Sequence, residues 1–182
     1  MPATLPSPQD IVAFWRDAGP ARWFRKDEAF DRDFRERFLT VHEAAASGEI
    51  DSWGATPDGA LALLVLLDQF PRNAFRGTAR MFATDPRARR IARIAVEAGF
   101  DEIVGSPLAQ FFHLPFMHSE DLADQDMAVE LSRASGPDSL KWAQLHRDII
   151  ARFGRFPHRN APLGRTTTSE EQRFLDEGGF AG

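Results

Sequence analysis

The 182-residue sequence contains no cysteine and no tyrosine. The absence of cysteine excludes a disulfide framework, a thiolate nucleophile, an iron–sulfur cluster and a zinc site with sulfur ligands. It also fits a reducing compartment, so we expect a cytoplasmic protein. The length suits one domain, and the composition, 43% hydrophobic and 27% charged, is close to that of ordinary globular proteins. We therefore predict a single domain over residues 1–182.

Long hydrophobic runs are also missing. The longest covers residues 60–67, whereas a membrane-spanning helix needs about 20 apolar residues. The N-terminal residues lack the basic start and the apolar stretch of a secretory signal. The net charge of −5 argues against a general nucleic-acid-binding protein, which normally presents a basic surface. The sequence therefore predicts a soluble protein that binds neither membranes nor nucleic acids.

Helix-start signals recur along the chain, and strand signals are nearly absent. The signals are capping residues followed by proline or acidic residues, as at Ser7, Thr56 and Thr168. They predict an all-α protein, an antiparallel stack of about eight helices. The third helix should be buried on every side and end at Pro71, because proline removes a backbone donor. Ser119 is expected to cap the sixth helix.

Two segments repeat the same order of residues. Residues 70–74 read Phe-Pro-Arg-Asn-Ala, and residues 156–161 read Phe-Pro-His-Arg-Asn-Ala. An arginine beside an asparagine, just past a proline, offers donors that suit a carboxylate or a phosphate. The structural alternative is equally physical. The asparagine can close the helix end, and the arginine can pair with an acidic residue of a neighbouring helix.

Other polar residues lie close to these segments in the sequence. Asp68 ends an apolar helix, so its carboxylate must be near the surface or paired, and Arg72 is four residues away. His118 precedes a serine and two acidic residues, but sequence neighbours on a helix do not face each other and form no triad. His146 shares a helix face with apolar residues, which favours a core histidine over an imidazole that titrates near neutral pH.

Several segments resemble the signature of the bacterial family known as domain of unknown function 924. Together with Trp23, Phe24, Asp27 and Phe30, they extend the likeness over nearly the whole chain. The resemblance implies an all-helical fold like that of tetratricopeptide repeats, and the family carries no established activity. The tetratricopeptide consensus itself is not found in the sequence. The segments are residues 66–73 (LLDQFPRN), 75–78 (FRGT), 114–121 (LPFMHSED), 146–150 (HRDII) and 155–160 (RFPHRN).

We hypothesise a polar pocket, at the ends of the third, fifth and seventh predicted helices, that binds a small anion. If the protein is an enzyme, proton transfer by His118 or His158 is favoured over covalent catalysis, because no cysteine is present and no serine has an obvious base. No histidine has a metal-ligand spacing, so neither a metal nor a cofactor is expected. The candidate ligand-binding residues are Asp68, Gln69, Arg72, Asn73, His118, Glu120, His146, Arg155, His158, Arg159 and Asn160.

Two alternatives to a small-molecule site stay open. A stack of helices can bind a peptide or a partner protein on a concave surface, and the aromatic residues Trp15, Trp23, Phe24 and Trp53 would then be candidates for that surface. The second alternative is that the polar signature only stabilises the fold. In that case removal of an arginine from the signature should destabilise the protein strongly.

Overall fold

The computed structural model describes residues 5–181. Within these residues the chain is all-α and contains no strand, which confirms the predicted class. No helix in this part of the chain is both long enough and apolar enough to cross a membrane. The described residues form two compact units, residues 5–76 with 80–115 and residues 77–79 with 116–181. The single domain predicted from the sequence stays a prediction, because compactness alone does not establish independent folding.

Three helices of the first unit begin at capping side chains that the sequence contains. Ser7 and Asp10 form a reciprocal capping box ahead of the first helix. The carboxylate of Asp27 and the hydroxyl of Thr56 cap the third and fourth helices. The helices that begin in this unit are α1 (Pro8–Ala18), α2 (Pro20–Trp23), α3 (Glu28–Ser47), α4 (Pro57–Leu64), α5 (Phe70–Ala74), α6 (Asp85–Glu97), α7 (Phe100–Val104) and α8 (Gln110–Met117).

Aromatic side chains fill the core of the first unit. Trp15 and Phe34 are completely buried, and the centroids of their rings are 5.4 Å apart. The indole Nε1 of Trp23 donates a hydrogen bond of 2.6 Å to the carbonyl oxygen of Trp15. The residues of α4 from Gly59 to Leu64 are all buried, which confirms that this helix is buried on every side.

The expectation that the third predicted helix ends at Pro71 is wrong. A π-helical turn over Val65–Gln69 follows α4 directly, and α5 then continues through Pro71 to Ala74. In this turn the backbone N–H of Phe70 bonds to the carbonyl oxygen of Val65, five residues earlier. The wider turn lets the helical path pass the proline instead of ending there.

Side chains replace the hydrogen bonds that Pro71 cannot make. Proline has no backbone N–H, so carbonyl groups one turn earlier need other donors. Nδ1 of His42 donates to the carbonyl oxygen of Leu66 at 2.9 Å, and the hydroxyl of Thr84 donates to that of Leu67 at 2.5 Å. Burial lowers the pKa of His42, so this imidazole stays neutral. A residue of α3 and the residue that precedes α6 thus support the π-helical turn.

The second unit contains α9 (Leu122–Ala134), α10 (Pro137–Phe153) and α11 (Ser169–Asp176). α9 and α10 are joined by two residues and pack against each other. Thr168 caps α11 in a reciprocal capping box with Glu171, as the sequence predicts. The resemblance of the helical arrangement to tetratricopeptide repeats stays a prediction.

Ser119 does not cap the helix that follows it, contrary to expectation. The cap of α9 is Asp121, whose carboxylate accepts hydrogen bonds from the backbone N–H groups of Ala123 and Asp124. The hydroxyl of Ser119 accepts from the N–H of Asp121 at 3.1 Å and donates to the carboxylate of Asp124 at 2.8 Å. A carboxylate interacts more strongly than a hydroxyl with a helix N-terminus, and the serine stabilises the preceding loop instead.

Candidate functional site

Arg72 lies at the centre of a buried ion-pair network in the first unit. Its Nη1 lies 3.3 Å from a carboxylate oxygen of Asp68, and its two Nη atoms donate to the two carboxylate oxygens of Asp85 at 2.9 and 3.0 Å. Burial would lower the pKa of Arg72, but the charges of Asp68 and Asp85 outweigh it and raise the pKa above its usual value. The guanidinium is therefore charged and engaged by two carboxylates of its own unit.

The other candidates of the first unit also bond within it. Nε2 of Gln69 donates to the carboxylate of Asp68 at 2.6 Å. Nδ2 of Asn73 donates to Asp31 on α3 at 2.6 Å, and Nε of Arg76 donates to the same carboxylate at 2.8 Å. These contacts join the end of α5 to α3 and favour the structural alternative for the first Phe-Pro-Arg-Asn segment. Anion binding by Arg72 or Asn73 stays a prediction.

In the second unit the carboxylate of Glu171 holds the loop that follows α10. Arg155 donates to it through Nε at 2.6 Å and through Nη2 at 2.9 Å, and Asn160 donates through Nδ2 at 3.2 Å. The backbone N–H of Thr168 adds a bond of 2.7 Å. The hydrogen bonds from Arg155 lower the pKa of Glu171 to about 2. Two of the predicted ligand contacts, Arg155 and Asn160, are thus bound by a carboxylate of the protein itself.

Glu120 holds the same loop from another helix end. Its Oε1 accepts from the backbone N–H of Phe156 at 2.8 Å, and its two oxygens accept from the Nη atoms of Arg165 at 2.7 and 3.0 Å. Burial would raise the pKa of Glu120, but the hydrogen bonds from Arg165 and Phe156 lower it. Glu120, one of the predicted site residues, is therefore ionised and positions the loop.

His158 and Arg159 lie in this loop, in a short 3-10 turn over Pro157–Arg159. Arg159 is only 6% exposed, and its guanidinium carbon lies 4.5 Å from the centroid of the Phe156 ring, which is a cation–π contact. Phe156 is completely buried. The carboxylates of Glu120 and Glu171 hold the loop from two sides. The fold therefore fixes the positions of the His158 imidazole and the Arg159 guanidinium.

Two histidines lie on either side of Phe156. The ring centroids of His146 and His158 are each 5.6 Å from that of Phe156. Nδ1 of His146 donates to the carbonyl oxygen of Trp142 at 2.8 Å. In its neutral form His146 therefore carries its hydrogen on Nδ1 and its lone pair on Nε2. His146 is 7% exposed, as expected of a histidine on the inner face of α10.

Burial is the largest cause that lowers the pKa of His158 to about 3. The charge of Arg159 acts in the same direction, as do His146 and His118 when they are protonated, whereas Glu120 acts in the opposite direction. Nδ1 of His158 is buried, and no group in residues 5–181 forms a hydrogen bond with it. The imidazole is therefore neutral at pH 7, lies next to Arg159, and retains hydrogen-bonding capacity.

The structure thus brings together five of the predicted site residues. His118, Glu120, His146 and Arg159 all interact electrostatically with His158. Four other predicted residues lie in the first unit, and the remaining two, Arg155 and Asn160, hold the loop.

Sequence reasoning missed the acidic partners of both Phe-Pro-Arg-Asn segments. Asp31 and Asp85 bind the first segment, and Glu171 binds Asn160 of the second. The sequence identifies Glu171 only as half of a capping box, because nothing local shows that its carboxylate also reaches back to α10. Arg165 was missed for the same reason, since its partner Glu120 is 45 residues away.

Two further features concern metal-ligating side chains and the exposure of the predicted aromatic surface residues. No group of three or more histidine, aspartate or glutamate side chains in residues 5–181 is placed to hold a metal ion. Trp15 and Trp23 are buried, Trp53 is half-buried, and Phe24 is 63% exposed. Two surface cavities, of about 450 and 500 Å³, are not lined by any of the predicted site residues.

Comparison with known proteins gives a family and a related structure. Residues 11–179 match the model of a family described as bacterial protein of unknown function (DUF924). A solved structure of a protein of unknown function from Agrobacterium tumefaciens is 53% identical in sequence, with a TM-score of 0.92 over 94% of this chain and 97% of that one. No curated protein matches the chain.

Proposed function

We propose that this chain, which belongs to the bacterial family of unknown function DUF924, binds a small anion beside His158 and Arg159 in the second unit. The anion would be a carboxylate or a phosphate. The observation that carries the proposal is the neutral His158, with a buried Nδ1 that forms no hydrogen bond with a described group, next to the positive charge of Arg159. His118 would contribute a further donor, and His146 would do so through Nε2 when that nitrogen is protonated.

The charge of the loop supports an anionic ligand. Glu120 is bound by Arg165, and Glu171 is bound by Arg155, so each carboxylate has a cationic partner at close range. The charge of Arg159 is one of the causes that lower the pKa of His158. An anion at this position would raise that pKa and favour the protonated imidazole, which can donate a hydrogen bond to it.

Binding of an anion would be linked to uptake of a proton. A negative ligand next to His158 would raise the pKa of the imidazole from about 3 toward its usual range. Linkage then requires that the anion binds more tightly as the pH falls. Affinity should therefore increase from pH 8 to pH 6, provided that the ligand keeps its charge over this range.

The proposal is tested by ligand-dependent thermal stability and by calorimetry. The ligands are inorganic phosphate, acetate and a panel of phosphorylated metabolites and carboxylates. The comparison of pH 6 with pH 8 uses the carboxylates, because phosphates change their charge over this range. A ligand present at about a hundred times its dissociation constant stabilises the fold by about 2.7 kcal/mol. Arg159→Gln should lose the shift. Arg152→Gln is the matched control, because Arg152 is exposed and pairs with the exposed Glu170 on the same unit.

A purely structural role of the polar signature is the second candidate. It is favoured by the contacts of Arg72, Asn73, Arg155 and Asn160, each of which bonds to a carboxylate of its own unit. Under this alternative no anion stabilises the wild-type protein, and Arg159→Gln only lowers the unfolding temperature. That pair of results would reject the anion site.

A further inference from the structure

A surface cavity of about 450 Å³ lies between α1 and α3 of the first unit. The rings of three phenylalanines, Phe14, Phe30 and Phe38, contribute to its lining. Phe14 is half-buried, and the centroid of its ring lies 5.3 Å from that of Phe30 and 5.1 Å from that of Phe38. The cavity therefore has an aromatic wall that is partly open to solvent, and its volume is in the range of small-molecule sites.

The protein already places a cation of its own on this wall. The guanidinium carbon of Arg37 lies 5.5 Å from the centroid of the Phe14 ring, which is a cation–π contact. Nε of the same guanidinium donates to the carboxylate of Asp33 at 2.7 Å. Asp33 and Arg37 both line the cavity. An aromatic face and a carboxylate thus hold a positive charge together at this cavity, and an organic cation requires the same combination.

Two further carboxylates line the cavity from α1. Asp10 and Asp17 are seven residues apart, so they lie on one face of the helix, two turns and about 10 Å from each other. Oδ2 of Asp10 accepts from the hydroxyl and the backbone N–H of Ser7, and these bonds lower the pKa of Asp10. Oδ1 of Asp10 and both carboxylate oxygens of Asp17 form no hydrogen bond with any group in residues 5–181. The surface between the two carboxylates is apolar, since Ala13 and Phe14 form it.

The two arginines of the cavity do not cancel the charges of the α1 carboxylates. Arg37 is paired with Asp33. Arg22 lies near Asp27, whose pKa is lowered mainly by a hydrogen bond from a backbone N–H of α3 and also by the charge of Arg22. Each arginine thus has an acidic neighbour. With three carboxylates and two guanidinium groups in its lining, the cavity has a negative balance that favours a cation.

We propose that this cavity binds an aliphatic diamine or polyamine, with one ammonium group at Asp10 and another at Asp17. The methylene chain of the ligand lies against Ala13 and Phe14, where apolar contact stabilises it. An ammonium group has three donors and no acceptor, so it fits carboxylate oxygens that accept no other bond. A metal ion would gain nothing from the apolar wall. The proposal is independent of the anion site, which lies in the other unit.

The test compares two diamines of equal charge, 1,8-diaminooctane and 1,3-diaminopropane, in calorimetric titrations of the full chain at pH 7 and fixed ionic strength. We expect the longer diamine to bind at least tenfold more tightly, because the ammonium groups of the shorter one are too close together to reach both carboxylates. Asp17→Asn should weaken the binding of 1,8-diaminooctane about fivefold, as the loss of an exposed ion pair does. Its effect on 1,3-diaminopropane should be twofold or less, since this ligand can bind at Asp10 alone.

Two further variants test the position of the ligand. Ala13 is exposed and lines the cavity, so Ala13→Leu fills the space of the methylene chain and should weaken the binding of 1,8-diaminooctane at least tenfold. Glu97→Gln is the matched control for Asp17→Asn, because Glu97 is exposed in the same unit but does not line the cavity. It removes the same charge and should change neither affinity by more than twofold.

The proposal is overturned if 1,8-diaminooctane does not bind the wild-type protein. It is also overturned if Asp17→Asn and Glu97→Gln have equal effects, because binding would then follow the net charge of the protein and not the cavity. Circular dichroism shows whether each variant folds. Should Ala13→Leu not fold, the comparison of Asp17→Asn with Glu97→Gln still decides, since both of these residues are exposed.

Discussion

The guanidinium of Arg155 donates two hydrogen bonds to the two carboxylate oxygens of Glu171, at 2.6 and 2.9 Å. This pair joins the end of α10 to the first turn of α11. The pair also gives Arg155 a structural role that requires no ligand. The proposed anion-binding role in the second unit therefore concerns His158 and Arg159 rather than Arg155.

Glu171→Gln should destabilise the protein by about 2 kcal/mol. The neutral amide cannot accept both bonds from Arg155 as a carboxylate does, and the bond from Asn160 also weakens. This value lies below the range of about 3–5 kcal/mol for a broken buried ion pair, because Arg155 is partly exposed. Urea unfolding at pH 7 measures the change. Glu170→Gln, which alters an exposed pair with Arg152, should change the stability by less than about 0.5 kcal/mol. Equal effects of the two substitutions would contradict the role of Glu171.

His158 should make the protein less stable as the pH falls from 6.5 toward 3. Its pKa is about 3 in the folded protein and near 6.5 in an unfolded chain, so the unfolded chain binds more protons between these values. The stabilising contribution of the neutral imidazole is complete above pH 6.5 and decreases by about 2 kcal/mol between pH 7 and pH 5.

The measurement is urea unfolding of the wild-type protein and of His158→Asn at pH 7 and pH 5. The variant should lose about 2 kcal/mol less than the wild-type protein over this interval. His42, whose pKa is also lowered, contributes equally to both proteins and cancels in the comparison. Parallel losses in the two proteins would show that His158 is not the group that titrates.

Thr84→Val should destabilise the protein by about 1–2 kcal/mol. The substitution keeps the shape of the side chain but removes the hydroxyl that donates to the carbonyl oxygen of Leu67, which Pro71 leaves without a backbone donor. Thr40→Val on α3 is the control, because Thr40 is exposed, and it should change the unfolding free energy by less than about 0.5 kcal/mol. If Thr84→Val is equally neutral, the hydroxyl does not support the π-helical turn.

Arg72→Gln should cost about 3–5 kcal/mol, since it leaves Asp68 and Asp85 buried without their cation. Arg37→Gln removes an exposed pair with Asp33 on the same unit and should have an effect below about 1 kcal/mol. Thermal unfolding followed by circular dichroism compares the two variants. A mild effect of Arg72→Gln, accompanied by the loss of an anion-dependent shift, would favour ligand binding at this arginine.

The sequence predicts much of the secondary structure because helix starts are local. The capping boxes at Ser7 with Asp10 and at Thr168 with Glu171 involve residues three apart, and both occur in the structure. The cap of α9 was misplaced by two residues, because Ser119 and Asp121 both suit that position and only the geometry decides between them. The short helix α7 gives no comparable signal, since it lies between two glycines without a capping side chain.

The candidate site could be predicted only as a set of residue types. Local reasoning singles out His118, His146, His158 and Arg159, and the structure brings them near one another. Local reasoning does not separate residues that hold the loop from residues that face a ligand. That distinction depends on which carboxylate each arginine or asparagine forms hydrogen bonds with.

By itself, the sequence determined the helical class, most helix starts and the polar segments, because capping and periodicity act over three or four residues. The tertiary structure alone decided how the chain passes Pro71 and which side chains support the His158 loop. It also decided which residues of α3 line a cavity together with Asp10 and Asp17. The reason is the distance along the chain: His42 reaches Leu66 over 24 residues, Asn73 reaches Asp31 over 42, and Arg165 reaches Glu120 over 45. Such pairs form only when the whole unit has folded.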